Sequence, residues 1–143
     1  MTSQWPYRTA ATVCRDPGGR LLVHRRSQSL SRFPGCYEVF AGGAVLPQET
    51  YRAAAVRELR EELGAGGPLR HLFKCLLPGA VSPYWIAIYE VCLTTEPRPN
   101  PAEVEWCEWM PEGALAQAMN RWHFTADGRI VWQYYLSHRP SAP

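Results

Sequence analysis

The chain has 143 residues, 46% of them apolar, and a formal net charge of +2. That length and composition suit a single globular domain, residues 1–143, with a real core. The charge is too small to argue for a nucleic acid polymer or a membrane surface as partner, and without a signal-like or long apolar segment the expected location is cytoplasmic. Five cysteines, at 14, 36, 75, 92 and 107, include no C-x-x-C pair, which speaks against a disulfide framework or a zinc site.

In chain order, residues 7–16 (YRTAATVCRD) and 20–26 (RLLVHRR) read as strands joined by Asp16-Pro17-Gly18-Gly19 into a hairpin. Ser27 to Gly35 is a polar loop. Residues 36–41 (CYEVFA) read as a short strand running into Gly42-Gly43. Thr50 is the expected N-cap of a helix that opens at Tyr51 and ends at Gly64. Ala55, Val56, Leu59 and Leu63 form its expected buried stripe, with the glutamates on a different face. Leu69 to Leu77 and Pro83 to Thr95 read as strands, 96–102 as a Pro-rich loop and 103–110 as a further strand. Pro111 opens a short helix reaching about Asn120. A last helix, about 126–137, is expected to be capped by Thr125 or Asp127 and to bury Ile130, Val131 and Tyr134.

The central helix carries the chemistry. Glu58, Glu61 and Glu62 stand at i, i+3 and i+4, so their carboxylates neighbour one another. Such a group repels itself unless a cation sits within it, and a hard divalent ion such as Mg²⁺ or Mn²⁺ prefers oxygen ligands. The whole stretch Gly43 to Ala65, GAVLPQETYRAAAVRELREELGA, resembles the Nudix box, G-x5-E-x7-R-E-U-x-E-E-x-G-U, where U is a bulky aliphatic. Gly43, Glu49, Arg57, Glu58, Glu61, Glu62 and Gly64 meet every fixed position. Leu59 fits the first U, and Ala65 is small for the last. Seven fixed matches arise by chance on the order of one in a million, which outweighs the bland reading of a solvated charged helix.

The resemblance implies an α/β protein with the Nudix fold, an α/β/α sandwich around a mixed β-sheet. It implies a MutT-like hydrolase that cleaves the diphosphate linkage of a nucleoside diphosphate derivative, with metal-activated water as nucleophile. Glu58, Glu61 and Glu62 are then the ligands of Mg²⁺ or Mn²⁺. The Gly42 carbonyl is a further candidate, because a Gly-Gly turn lets a cation approach the backbone. The general base is either Glu58 or Glu103, where similar enzymes place an extra acid before a strand; Glu105 and Glu108 compete. Gly43, Glu49, Arg57 and Gly64 take structural roles, with Glu49 paired to Arg57.

Arg25, Arg26 and Arg32 precede the box and are candidates for the substrate phosphate. Strand alternation lets at most one of Arg25 and Arg26 enter a cleft. Tyr84, Trp85, Trp122 and Phe124 are candidates for stacking on a base, although such rings more often fill cores. The four histidines have no readable partner. The expected partner is a small molecule, and a homodimer stays open.

The segment HRRSQSLSRFPGCYEVFAGGAV is also similar to the isopentenyl-diphosphate-isomerase-like branch of the superfamily. Aligned on Pro34-Gly35, that enzyme's catalytic cysteine falls on Gly42 and its histidine on Ala44, so both groups are missing, and Cys36 lies six residues too early. A catalytically silent nucleotide-binding module is the other alternative; the intact box argues against it.

Overall fold

A computed structural model describes residues 7–138. Its elements are β1 (Tyr7–Arg15), β2 (Leu21–Arg26), β3 (Tyr37–Glu38), β4 (Phe40–Ala44), α1 (Tyr51–Leu63), β5 (Arg70–Leu77), β6 (Tyr84–Cys92), β7 (Val104–Met110), α2 (Glu112–Arg121) and α3 (Ala126–His138). No helix among the described residues is long and apolar enough to cross a membrane.

Strand β1 organises the sheet. Eight of its nine positions are Ala, Thr, Val, Cys or Arg, and its middle is buried throughout, the pattern of a strand covered on both faces. It runs parallel to β6 from Tyr7↔Tyr84 to Arg15↔Cys92 and antiparallel to β4 from Thr9↔Ala44 to Val13↔Phe40. β5 adds to the outer side of β6, while β2 carries β3 and β7 as a second wing. Ala10 and Cys14 pack with Ala54, Ala55, Leu59 and Leu63 of α1. On the other face, Ala11 and Val13 pack with Leu115 of α2 and Val131, Trp132 and Tyr135 of α3. The result is the expected α/β/α sandwich around a mixed sheet. Each fully buried leucine contributes about 1.5–3 kcal/mol, so Leu59 and Leu63 hold α1 to the sheet.

Three local expectations need correction. The hairpin of β1 and β2 is one rung, Arg15↔Leu21; β2 pairs over its length with β7 instead. The segment 36–41 is two strands. Tyr37–Glu38 joins β2, then the chain crosses at the buried Val39 to join β1 as β4. A continuous apolar pattern cannot reveal a change of partner. In α3 the buried set is Val131, Trp132 and Tyr135, while Tyr134 is exposed. The helix starts at Thr125, whose hydroxyl accepts the Gly128 N–H (3.2 Å). Tyr135 is drawn inward because its hydroxyl donates to Glu90 and accepts from Arg15 (2.8 Å), tying α3 to β6 and β1.

Candidate active site

Helix α1 begins where the Thr50 hydroxyl accepts the Ala53 N–H at 3.0 Å and ends at Gly64 in the left-handed region, φ 57°. Its buried residues are Ala54, Ala55, Leu59, Glu62 and Leu63. Steps of four from Ala54 and Ala55 lead to Glu58 and Leu59, then to Glu62 and Leu63. The expected stripe is therefore corrected in two places. Val56 is turned out, and Glu62, only 9% exposed, lies on the buried face. Glu61 points outward, and the side chain of Glu58 is mostly covered.

Arg57 organises the box. Its guanidinium takes both Glu49 oxygens at 2.9 Å, Glu58 Oε1 at 2.8 Å and the Ala44 carbonyl at 3.0 Å, and reaches Glu61 at 3.4 Å. Such charge-assisted, forked contacts are the strong kind. The expected Glu49–Arg57 tie is present. The Arg57 hydrogen bonds hold the Glu49 carboxyl down at about 2, against an ordinary 4.5. The unfolded chain therefore takes up this proton first as pH falls. The pair stabilises fully above pH 4.5, and that contribution is lost between pH 4.5 and about 2. Melting curves of the wild type and Glu49→Gln should converge across that window; a gap independent of pH would contradict it. Gly43 serves Glu58: a Cβ there would lie 2.8 Å from the Glu58 carboxyl carbon. Gly42 faces Ala11 across the β4–β1 ladder, where a Cβ would collide with the Ala10 carbonyl.

A cavity of about 60 Å³ opens beside α1, lined by His24, Arg26, Leu30, Glu62, Glu103 and Val104. It has room for an ion and a few waters, not for a nucleotide. Glu62 Oε2, Glu103 Oε2 and His24 Nδ1 are buried without a hydrogen-bond partner. Burial, then the charges of Glu38, Glu58 and Glu103, push the Glu62 carboxyl up to about 9. Burial lifts Glu38 to about 7, with Arg26 opposing. Burial, then Arg26, lowers His24 to about 4, so the imidazole is neutral. Burial also raises Glu58, against the pull of Arg57.

The structure thus brings Glu62, Glu103 and Arg26 together from three elements. Arg26 donates to Glu38 at 3.3 Å and grips the Arg32 carbonyl at 2.8 and 3.1 Å. As alternation requires, Arg25 faces away, over the Tyr37 ring and toward Glu105 at 3.8 Å. Arg32 points to the Tyr7 hydroxyl. Glu105 and Glu108 are exposed and do not line the cavity. Phe124 is core, Tyr84 donates to Asp127 (2.6 Å), and Trp85 carries Lys74 at 5.5 Å from its ring. Cys36 is buried and outside the lining. His24 and Glu38 escaped the sequence reading. The available signal was period two: His24 and Arg26 share a face of β2, and Glu38 pairs with His24.

Glu103 lies in a turn just before β7, on a segment hydrogen-bonded to the end of α1. Arg98 and Asn100 donate their N–H groups to the last carbonyls of α1, Leu63 and Glu62, at 2.6 and 2.9 Å. Prolines around them hid this, because the partners are backbone groups at a helix end.

Among the described residues, no three His, Cys, Asp or Glu side chains converge as a formed metal centre. Glu58 and Glu61 are engaged by Arg57. The donor chemistry nevertheless fits a hard divalent cation: the three box side chains are carboxylates, and Glu62 Oε2 is buried and unsatisfied.

The NUDIX domain profile matches residues 5–128. The fold and the box together define a pyrophosphate-bond hydrolase scaffold, and the chain belongs to the Nudix family of pyrophosphohydrolases, whose members generally require divalent metal ions. It is 42% identical over 125 residues to an uncharacterised Nudix hydrolase of Streptomyces coelicolor, covering 85% of this chain and 69% of that protein. It is 31% identical over 110 residues to an isopentenyl-diphosphate Delta-isomerase of Nocardia farcinica, covering 73% and 63%. The crystal structure of DR0079 from Deinococcus radiodurans superposes with a TM-score of 0.76 at 30% identity, covering 94% of this chain and 90% of that one.

Proposed function

We propose that the chain hydrolyses the diphosphate linkage of a nucleoside diphosphate derivative, NDP-X to NMP and P-X, with Mg²⁺ or Mn²⁺ held by Glu58, Glu61 and Glu62. The observation that carries this reading is the pair of buried, unpartnered carboxylate oxygens, Glu62 Oε2 and Glu103 Oε2, in one cavity with Arg26. Buried polar groups are ordinarily satisfied. When bound, the cation supplies charge neutralisation at the phosphate oxygens and acidifies water. Glu103 accepts the proton of the attacking water, whose oxygen bonds to one phosphorus as the bridging P–O bond breaks. Arg26 clamps a phosphate oxygen, with Glu38 and the Arg32 carbonyl fixing its plane. The partly exposed rings of Tyr37, Trp106 and Trp122 cluster, with 4.7 Å between the Tyr37 and Trp122 centroids, on the side of the sheet that Arg25 faces, away from the cavity beside Glu62.

The cation should stabilise the fold, since burial and then its acidic neighbours raise Glu62, and a positive charge offsets the repulsion from those neighbours. At 100 times its dissociation constant a ligand adds about 2.7 kcal/mol. That amounts to roughly 10 °C in Tm for a chain of this size. Thermal melts with Mg²⁺, Mn²⁺ and EDTA measure this, and identical Tm values count against the site.

Isomerase chemistry is not favoured. Cys36 is buried, burial raises its thiol further, and it is absent from the cavity. Cys36→Ser should keep hydrolysis within about threefold of wild type; loss of activity in a folded variant would revive the thiol-dependent reading. The function itself is tested with a panel of nucleoside diphosphate derivatives in Mg²⁺ and Mn²⁺. Cation-dependent NMP release is expected, and no release from any compound overturns it.

A further inference from the structure

We propose that Asn100 is a positioning residue that sets the Glu103 carboxylate against Glu62, so that the 98–103 segment is part of the reactive centre rather than a connector. The proposal rests on Glu103 as the base. Four hydrogen bonds meet at Asn100. Its N–H donates to the Glu62 carbonyl (2.9 Å), and its carbonyl accepts the N–H groups of Glu103 (2.9 Å) and Val104 (2.8 Å). Its side-chain Oδ1 accepts the Ala102 N–H at 3.1 Å, which closes the turn.

The same residue thus touches the backbone of both carboxylates. Two adjacent contacts make the tether stiff. Arg98 donates to the Leu63 carbonyl, and its own carbonyl lies over Gly64, where a Cβ would stand 2.6 Å away. On the far side the Glu103 carbonyl accepts the Ser27 N–H at 2.9 Å, so Glu103 is pinned at both backbone ends. Two buried carboxylates facing one cavity repel each other, and an untethered one would swing to solvent. Asn100 is itself exposed, so its side chain contributes little to the core.

The test is Asn100→Ala and Asn100→Asp, assayed on whichever panel compound the wild type turns over fastest. Asn100→Ala removes only the turn-closing acceptor, and Asn100→Asp restores it. A misplaced group costs about 10–100-fold. The expected result is a kcat lowered about tenfold with KM within about twofold, an unchanged Tm, and recovery in Asn100→Asp. In a Glu103→Gln background, Asn100→Ala should have no further effect. An undiminished kcat, or the same loss in that background, overturns the proposal. Carboxyl-carbon NMR separates this from failure of the hydrolase reading. The Glu103 resonance, assigned by its absence in Glu103→Gln, should move in Asn100→Ala and return in Asn100→Asp. If it stays put, the proposal is wrong whatever the protein hydrolyses.

Discussion

Glu62→Gln should remove nearly all activity while leaving the fold intact. Glu62 is the buried member of the box carboxylates, on the stripe with Leu59 and Leu63. Its charge is opposed by burial and by Glu38, Glu58 and Glu103. A neutral isostere relieves that repulsion, so the metal-free variant should melt no lower than wild type. In the proposed site the same change removes an anionic ligand from the cation. Electrostatic stabilisation by a bound metal is worth several kcal/mol at the transition state, on the order of 10³ in rate. Rate and Tm are read together, with and without Mg²⁺. The Tm increment from Mg²⁺ should shrink in the variant. A variant with wild-type turnover would remove Glu62 from the site, and one that unfolds would show that its charge is structural.

Glu103→Gln and Glu58→Gln should fail in different ways. Glu58 is held by Arg57 at 2.8 Å and packed over Gly43, which keeps it oriented toward the box. Its loss should weaken cation binding, so that excess Mg²⁺ recovers part of the rate. Glu103 lines the cavity with Glu62 and has one oxygen unpartnered. Loss of a general base leaves metal affinity nearly unchanged and costs roughly 10²–10⁴ in rate. Rates against Mg²⁺ concentration for both variants measure this. A near-normal rate for Glu103→Gln ends its role and returns the base to Glu58.

The box was legible because its information is local. Residue spacing on a helix fixes which side chains neighbour one another, and the N-cap at Thr50, the stop at Gly64 and the Glu49–Arg57 pair all depend on separations of a few residues. The Nudix sandwich followed from that match and from the order of elements. What stayed hidden depends on tertiary pairing. Val56 and Glu62 exchange roles because the sheet meets α1 along the 54/55–58/59–62/63 line, and the helix pattern alone permits either. The His24–Glu38 contact needs the β2–β3 register. The choice among Arg25, Arg26 and Arg32 needs the face of β2 that looks at α1. The position of Glu103 needs backbone bonds between a Pro-rich segment and a helix end, which no side-chain pattern encodes.

The most direct measurement is hydrolysis of a nucleoside diphosphate derivative in ¹⁸O-labelled water, with products weighed by mass spectrometry. The account predicts one ¹⁸O per turnover in a phosphate product, formed only with Mg²⁺ or Mn²⁺, stopped by excess EDTA and restored by added cation. Full turnover in EDTA, or an unlabelled product isomeric with the substrate, would contradict it.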